Sequence, residues 1–248
     1  MWRRSFGPSM ELTCVPLAGG RAAGPAHLVE EPGIGASDVP PGSVLVVARP
    51  WWPPPAVRPP KVAAVVLDEP PSGRDPDPSV PVVAGLASDL FREGERIEVD
   101  GDLGRVFSPE LHGIEVVTVF LQRADGRLLL LRRSDKVGSF RGRWAGVSGF
   151  LEDPTPEQQA FREVREETGL EPADLSVERA GRPVYARDGT TVYVVRPFLF
   201  RTRRTDVRLD WEHTESEWVE PSEIDRRATV PKLDRAWRAV APTSGRKG

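Results

Sequence analysis

In the run REVREETGL, three glutamates, Glu163, Glu166 and Glu167, sit three and four residues apart. On a helix, at about 100° per residue, that spacing turns them to one side, while Ala160, Phe161 and Val164 cluster on another. Like charges packed this way are mildly destabilising without a counterion, and Arg162, one turn before Glu166, offsets only part of the repulsion. A set of oxygen ligands suits a hard cation such as Mg²⁺ or Mn²⁺ and not zinc. The competing interpretation is a solvated acidic face, which is common on helices. The repulsion argues against it. So does the irregular Gly-containing loop before the helix, whose backbone carbonyls are available to join the carboxylates.

The helix that must carry these residues is well bounded. Thr155 is a capping residue, Pro156 suits the first turn, and Thr-x-x-Gln has capping-box spacing. Gly169 supplies the stop, so the helix is predicted over Pro156 to Thr168. Upstream, IEVVTVFLQ and RLLLLRR flank ADG, which predicts a hairpin: Ile114 to Gln122, a turn near Asp125–Gly126, then Arg127 to Arg133. Downstream, TVYVVRPFLFR (Thr191 to Arg201) reads as a strand and SEWVEPSEI as a strand running into a turn. Pro231 to Val240 reads as an amphipathic helix.

Residues 1 to 110 follow a different grammar, rich in Pro and Gly. Val44 to Ala48, Val62 to Leu67 and Val80 to Val83 are short β-branched runs, and Glu98 to Val106 reads as strand, Gly-rich turn, strand. The prolines of Ala48 to Pro60 exclude a central strand or a helix interior. The sequence therefore divides into a β-rich domain over 1–110 and an α/β domain over 111–248, with the boundary near Ser108 to Gly113.

The chain has 248 residues, a net charge of -3 and one cysteine, Cys14. That balance implies neither disorder nor a general nucleic-acid surface, and no helix-turn-helix or basic arm is present. A single cysteine excludes an internal disulfide and any Cys-based zinc site, and fits a reducing compartment. No apolar run reaches the roughly 20 residues of a membrane span. MWRRSFGPSM is basic without a following apolar stretch, so no signal peptide is read, and Met10 is an alternative start. The expectation is a cytoplasmic protein without membrane or specific nucleic-acid partners; a homodimer is left open.

Arg162 to Leu170 resembles the core of the Nudix signature, R-E-[aliphatic]-x-E-E-x-G-[aliphatic], at every defined position, and Gly149 resembles its opening glycine. The resemblance extends over roughly residues 114 to 242. It implies an α/β/α sandwich with a mixed sheet, preceded here by the smaller β-rich domain. It also implies Mg²⁺ (or Mn²⁺) held by Glu163, Glu166 and Glu167, with the Ser148 carbonyl as a backbone ligand and Arg162 orienting a glutamate. Glu212, or failing that Glu215, is the acidic residue expected from a later loop. The implied chemistry is attack of water on a diphosphate bond, with Glu163 or Glu212 accepting the proton.

The chain departs from the signature at one place. The loop after Gly149 is one residue short, and Asp153–Pro154 occupies the position of a further glutamate, although Glu152 keeps a Gly-x-x-Glu spacing. Arg132, Arg133, Lys136, Arg141 and Arg143 precede the loop as candidate phosphate ligands or a solvated basic run. Trp144 reads as a base-stacking residue or as core. RRSDKV, WEHTESEW and TVPKL resemble Nudix domains fused to initiation-factor-2B-like sugar-phosphate isomerases, which points to a small nucleotide or sugar-phosphate substrate.

The front half, over about residues 15 to 107, resembles the swivelling phosphohistidine domain of phosphoenolpyruvate-utilising enzymes, a β/β/α fold. Where that family carries its histidine and a helix, this chain has DEPPSGRDPDPS, so it lacks the nucleophile; His27 and His112 lie elsewhere. The leading expectation is a Mg²⁺-dependent Nudix pyrophosphatase acting on a nucleoside diphosphate derivative or related metabolite. The alternative is a Nudix module that senses such a ligand without turnover and acts through a partner.

Overall fold

The computed structural model describes residues 10–29, 39–48, 62–71 and 79–242. They fall into two compact units, Met1–Gly113 with Arg187–Val192, and Ile114–Ala186 with Tyr193–Gly248. Among the described residues, no helix is long and apolar enough to cross a membrane. Most of the Pro-rich run Ala48 to Pro60, the residues before Met10, and 72–78 of the DEPPSGRDPDPS segment lie outside the described residues.

The first unit is built on β1 (Met10–Thr13), β2 (Val15–Ala18), β3 (Arg21–Val29), β4 (Ser43–Val47), β5 (Val62–Leu67), β6 (Val82–Ala84), β7 (Arg96–Asp100) and β8 (Arg105–Ser108). They form one sheet in the order β1-β8-β7-β3-β4-β5-β6-β2. The β3–β4–β5–β6 ladders are parallel, and β2, β7 and β8 join antiparallel. Val44, Leu45, Val46 and Val47 are all buried, as parallel central strands require. The β content is as the short β-branched runs foretell. The helical layer of a β/β/α unit is not seen: among the described residues of this unit, only Ser88–Leu90 is helical, as a single 3₁₀ turn.

The second unit contains β9 (His112–Gln122), β10 (Leu128–Arg133), β11 (Trp144–Ala145), β12 (Val147–Phe150), β13 (Leu175–Ala180), β14 (Val184–Asp188), β15 (Thr191–Thr202) and β16 (His213–Val219). Among the described residues two α-helices join them, α1 (Pro156–Thr168) and α2 (Leu233–Val240). The sheet path is β11-β10-β9-β15-β13, with β12 also on β9, β14 on β15 and β16 on β10. Alternation along β9 and β10 sets the layers. Val117, Val119, Leu121, Leu129 and Leu131 share a core with Ala160 and Val164 of α1. Their sequence neighbours Phe120, Leu128 and Leu130 share another with Leu233, Ala236 and Val240 of α2. One helix on each face of the sheet is the sandwich expected.

The predicted hairpin is only partly a hairpin. The chain turns at Asp125–Gly126, with Gly126 at φ 91°, but the β9–β10 ladder among the described residues is confined to Leu128 opposite Gln122. Beyond it the strands separate. β10 runs along β16 from Leu128–Val219 to Arg133–His213, while β9 takes β12, with Val147 opposite Val119 and Phe150 opposite Val116. This splaying brings β12, the loop after it and the start of β16 close to α1, which is where the candidate chemistry lies.

Candidate functional site

Helix α1 begins and ends where its caps dictate. The Thr155 hydroxyl oxygen accepts from the Gln158 N–H at 3.2 Å, Pro156 occupies the first turn, and Gly169 closes the helix in the left-handed conformation at φ 69°. Ala160, Phe161 and Val164 hold it on the sheet, with the Phe161 and Phe200 rings 4.8 Å apart. That docking fixes the acidic stripe against β12, but the three glutamates do not share one environment. Glu166 is exposed, Glu163 is half-buried, and Glu167 is 3% exposed. Glu167 follows Ala160 and Val164 by whole turns of the helix, so it is carried into the interior with them.

Each buried carboxylate meets β12. Glu167 Oε1 accepts from the Ser148 N–H at 3.2 Å, and its Oε2 is buried without a hydrogen-bond partner. The Glu163 carboxylate lies directly over Gly149: a Cβ there would come within 2.0 Å of Glu163 Oε1. Only glycine leaves room for that carboxylate. Burial, with Glu166 and Glu212 adding repulsion, pushes Glu163 up to about 7, against the opposing pull of the Gln159 amide and Arg162. Burial pushes Glu167 well above the ordinary carboxylate range, and Glu163, Asp210 and Glu212 push it further.

The loop before β16 supplies a second acidic wall. Asp210 Oδ1 accepts from the Glu212 N–H at 3.1 Å and is 2.9 Å from His213 Nδ1. The Glu212 carbonyl accepts from the Ser134 N–H at 2.7 Å. The His213 side chain is 1% exposed, its Nε2 stands 3.7 Å from Glu167 Oε2, and burial lowers its pKa. Glu212 lines the cleft. Glu215 does not: it faces Arg132 at 2.6 Å on the β10–β16 ladder.

Arg162 engages the shortened loop. Its Nη2 donates to Gln159 Oε1 at 2.8 Å and Glu152 Oε2 at 3.3 Å. Its Nε is 3.1 Å from Asp153 Oδ2, a charge contact without hydrogen-bond alignment. Asp153 thus brings a carboxylate to the arginine from the position where a glutamate was expected.

The cleft over these residues encloses about 290 Å³. It is lined by the acidic Glu152, Glu163, Glu166 and Glu212, by Arg162 and Ser148, and by the apolar or aromatic Phe140, Phe150, Tyr193, Val116, Val195 and Val230. Phe140 has φ 50°, unusual for a bulky residue, and its ring meets Tyr193 edge-to-face at 6.0 Å. Arg133 lines the cleft, its Nε donating to the Ser139 carbonyl at 3.1 Å. Arg143 and Trp144 do not. Trp144 packs against the α2-side core with Arg227 5.2 Å from its ring centre, which agrees with the core reading and not with base stacking in the cleft. Sequence reasoning missed Gln159, Asp210, His213, Phe140 and Tyr193. Of these only Gln159 left a signal, a polar residue one turn before Glu163 and beside the apolar Ala160.

The donor set fits a hard divalent cation. It is all oxygen, it includes a buried carboxylate oxygen with no hydrogen bond, and its members repel one another. The side chains are not already gathered, since among the described residues no three His, Cys, Asp or Glu side chains form a closed ligand group.

Residues 112–239 match the sequence model of the NUDIX domain. No curated protein matches the chain. Among solved structures, a Caenorhabditis elegans Ap4A hydrolase in a binary complex is similar at 20% identity and a TM-score of 0.44, covering 51% of this chain and 93% of that one. The MutT protein of Methanosarcina mazei Go1 is similar at 27% identity and 0.45, over 53% and 97%. The NUDIX domain of Shewanella oneidensis NrtR, complexed with ADP ribose, is similar at 18% identity and 0.42, over 51% and 86%. With just over half of its length matched by the domain model, the chain belongs to the Nudix family.

Proposed function

We propose that the cleft is the active site of a Mg²⁺-dependent hydrolase that cleaves a diphosphate linkage in a nucleoside diphosphate derivative or a related phosphorylated metabolite. Hydrolysis of phosphorus-containing anhydrides is the activity of the family; the metal, the residue roles and the substrate class are the proposal. The observation that carries it is Glu163 packed over Gly149 and Glu167 bonded to the Ser148 N–H, with one Glu167 oxygen buried without a hydrogen bond.

Glu163, Glu166 and Glu167, with the Ser148 carbonyl, would hold the ion, and Mn²⁺ would serve as well. Such an ion would offset charge on the phosphate oxygens and lower the pKa of water. Everything else falls to the chain. Arg133 offers charge-assisted donors to a phosphate from the cleft wall. Phe140 and Tyr193 offer an aromatic surface for the non-phosphate part. Arg162 ties the loop 152–153 to α1. Glu163 and Glu212 both line the reacting space and are the two carboxylates suited to accept the proton from water. The pH profiles of Glu163→Gln and Glu212→Gln separate them, because the variant lacking the base loses the ascending limb of kcat.

Nucleoside diphosphate derivatives, sugar phosphates and nucleoside triphosphates incubated with Mg²⁺ should yield phosphate or nucleotide products from one class. The Glu166→Gln/Glu167→Gln variant should yield none, and retained turnover would overturn the assignment. Ligand sensing without turnover gains no support from the loop, since the shortened segment keeps its carboxylate contacts to Arg162. For the first unit, a swivelling-type domain without a phosphorylatable histidine remains our reading, supported by its parallel β3–β4–β5–β6 centre. Label transferred to it from phosphoenolpyruvate would overturn that reading.

A further inference from the structure

We propose that Gln159 is a positioning residue for Glu163, and that it adapts the site to the shortened loop. The inference rests on the role given to Glu163 above.

Gln159 is 1% exposed, so its amide must find its partners inside the protein. Its Oε1 accepts three hydrogen bonds: from Glu152 N–H at 2.8 Å, Asp153 N–H at 2.9 Å and Arg162 Nη2 at 2.8 Å. Its Nε2 donates to Glu163 Oε1 at 2.5 Å. The opposite orientation of the amide would set an NH₂ group against three donors and an oxygen against a carboxylate, so the network fixes which atom is which. Gln159 therefore reads the loop with one end and holds Glu163 with the other. Gly149 packs against the same carboxylate, nearest to the same Oε1. Glu163 is thus held by the amide and lies over the glycine, one helical turn from the residue that fixes it.

Residue type matters at both ends. A leucine of similar size leaves the Glu152 and Asp153 N–H groups and Arg162 without their common acceptor. A glutamate keeps that acceptor but turns the donor facing Glu163 into a second acceptor. Gln159→Glu thus separates the loop-holding function from the Glu163-holding function.

Two measurements on the full-length protein test the proposal. The first is metal-free: wild type, Gln159→Glu, Glu163→Gln and the double variant are melted in EDTA at pH 8. Gln159→Glu should lower Tm, because two carboxylates oppose each other. The double variant, in which the new amide at 163 can donate to the new carboxylate at 159, should melt well above the value obtained by adding the Gln159→Glu loss to the Glu163→Gln gain. Strong non-additivity is the signature of direct contact. The second is kinetic: Gln159→Glu should lower kcat by about 10- to 100-fold, as small misplacements of reacting groups do, with KM within about threefold of wild type on the same grounds.

If the double variant shows only the sum of the two single effects, or if kcat for Gln159→Glu stays at the wild-type value, Gln159 merely caps the loop and the proposal fails. Non-additive melting in a protein that hydrolyses nothing under Mg²⁺ would uphold the Gln159–Glu163 contact and instead overturn the hydrolase assignment. Gln159→Leu serves as the control: it should lower Tm, but combined with Glu163→Gln it should show nearly additive effects, because it brings no second carboxylate to face residue 163.

Discussion

Replacing Glu163 with glutamine should stabilise the metal-free protein, and the size of the gain follows from the site. Glu163 is driven up from 4.5 to about 7, first by burial and then by Glu166 and Glu212. The folded state therefore binds more protons than the unfolded state between those two values. The contribution is full below pH 4.5 and is lost as pH rises through about 7, so metal-free stability must fall across that window. At about 1.4 kcal/mol per unit, the loss is about 3 kcal/mol. Glutamine does not titrate, yet it keeps an oxygen that can accept from the Gln159 amide. Glu163→Gln should thus melt near wild type at pH 4.5 and about 6–12 °C above it at pH 8 in EDTA. Saturating Mg²⁺ should narrow the difference, because an ion at 100 times its Kd stabilises by about 2.7 kcal/mol and the wild type keeps the fuller ligand set. Thermal unfolding followed by circular dichroism at both pH values, with and without Mg²⁺, is the assay. Equal gains at pH 4.5 and pH 8, or no gain at pH 8, would refute the claim that burial and like charge hold Glu163 in its strained state.

Gly149→Ala should fold normally but lose most activity, since the methyl group meets the mobile end of Glu163 and not backbone; a large fall in Tm with intact kcat would contradict this. Arg133→Ala should raise KM by about tenfold, consistent with loss of a charge-assisted contact, whereas Arg143→Ala, outside the cleft, should leave kinetics unchanged. Glu212→Gln should cut kcat by about 10²-fold or more if it takes the proton, while Glu215→Gln should cost no more than its exposed pair with Arg132, within about 1 kcal/mol of stability.

Much of the fold was legible because local chemistry agreed with tertiary structure. Thr155, Pro156 and Gly169 set both ends of α1, and the paired odd and even apolar residues of β9 and β10 show why RLLLLRR could be buried on both faces. The splaying of β9 from β10 was not legible, since turn residues announce a reversal but not which strand a neighbour pairs with afterwards. The acid site was legible as a pattern and illegible as an environment. Spacing groups Glu163, Glu166 and Glu167, yet only docking of Ala160 and Val164 decides that Glu167 is buried and Glu166 exposed. Trp144 left two readings open for a related reason: an aromatic beside a basic run can bind or fill the core, and only packing shows that it joins the α2-side core under Arg227.

The shortened loop shows why position-by-position comparison alone misjudges such a site. Read along the chain, LEDPT has lost a residue and a glutamate. Read in space, Arg162 still meets carboxylates, from Glu152 and Asp153, and the backbone of both residues is held by Gln159. The arginine and the loop are coupled through one buried amide whose remaining donor lands on Glu163. A change in loop length is therefore absorbed one helical turn away, in a residue whose type matters because it must accept on one side and donate on the other. Of the neutral side chains, glutamine is long enough to do both from a helix position, and serine or asparagine at 159 should fail to restore what leucine removes.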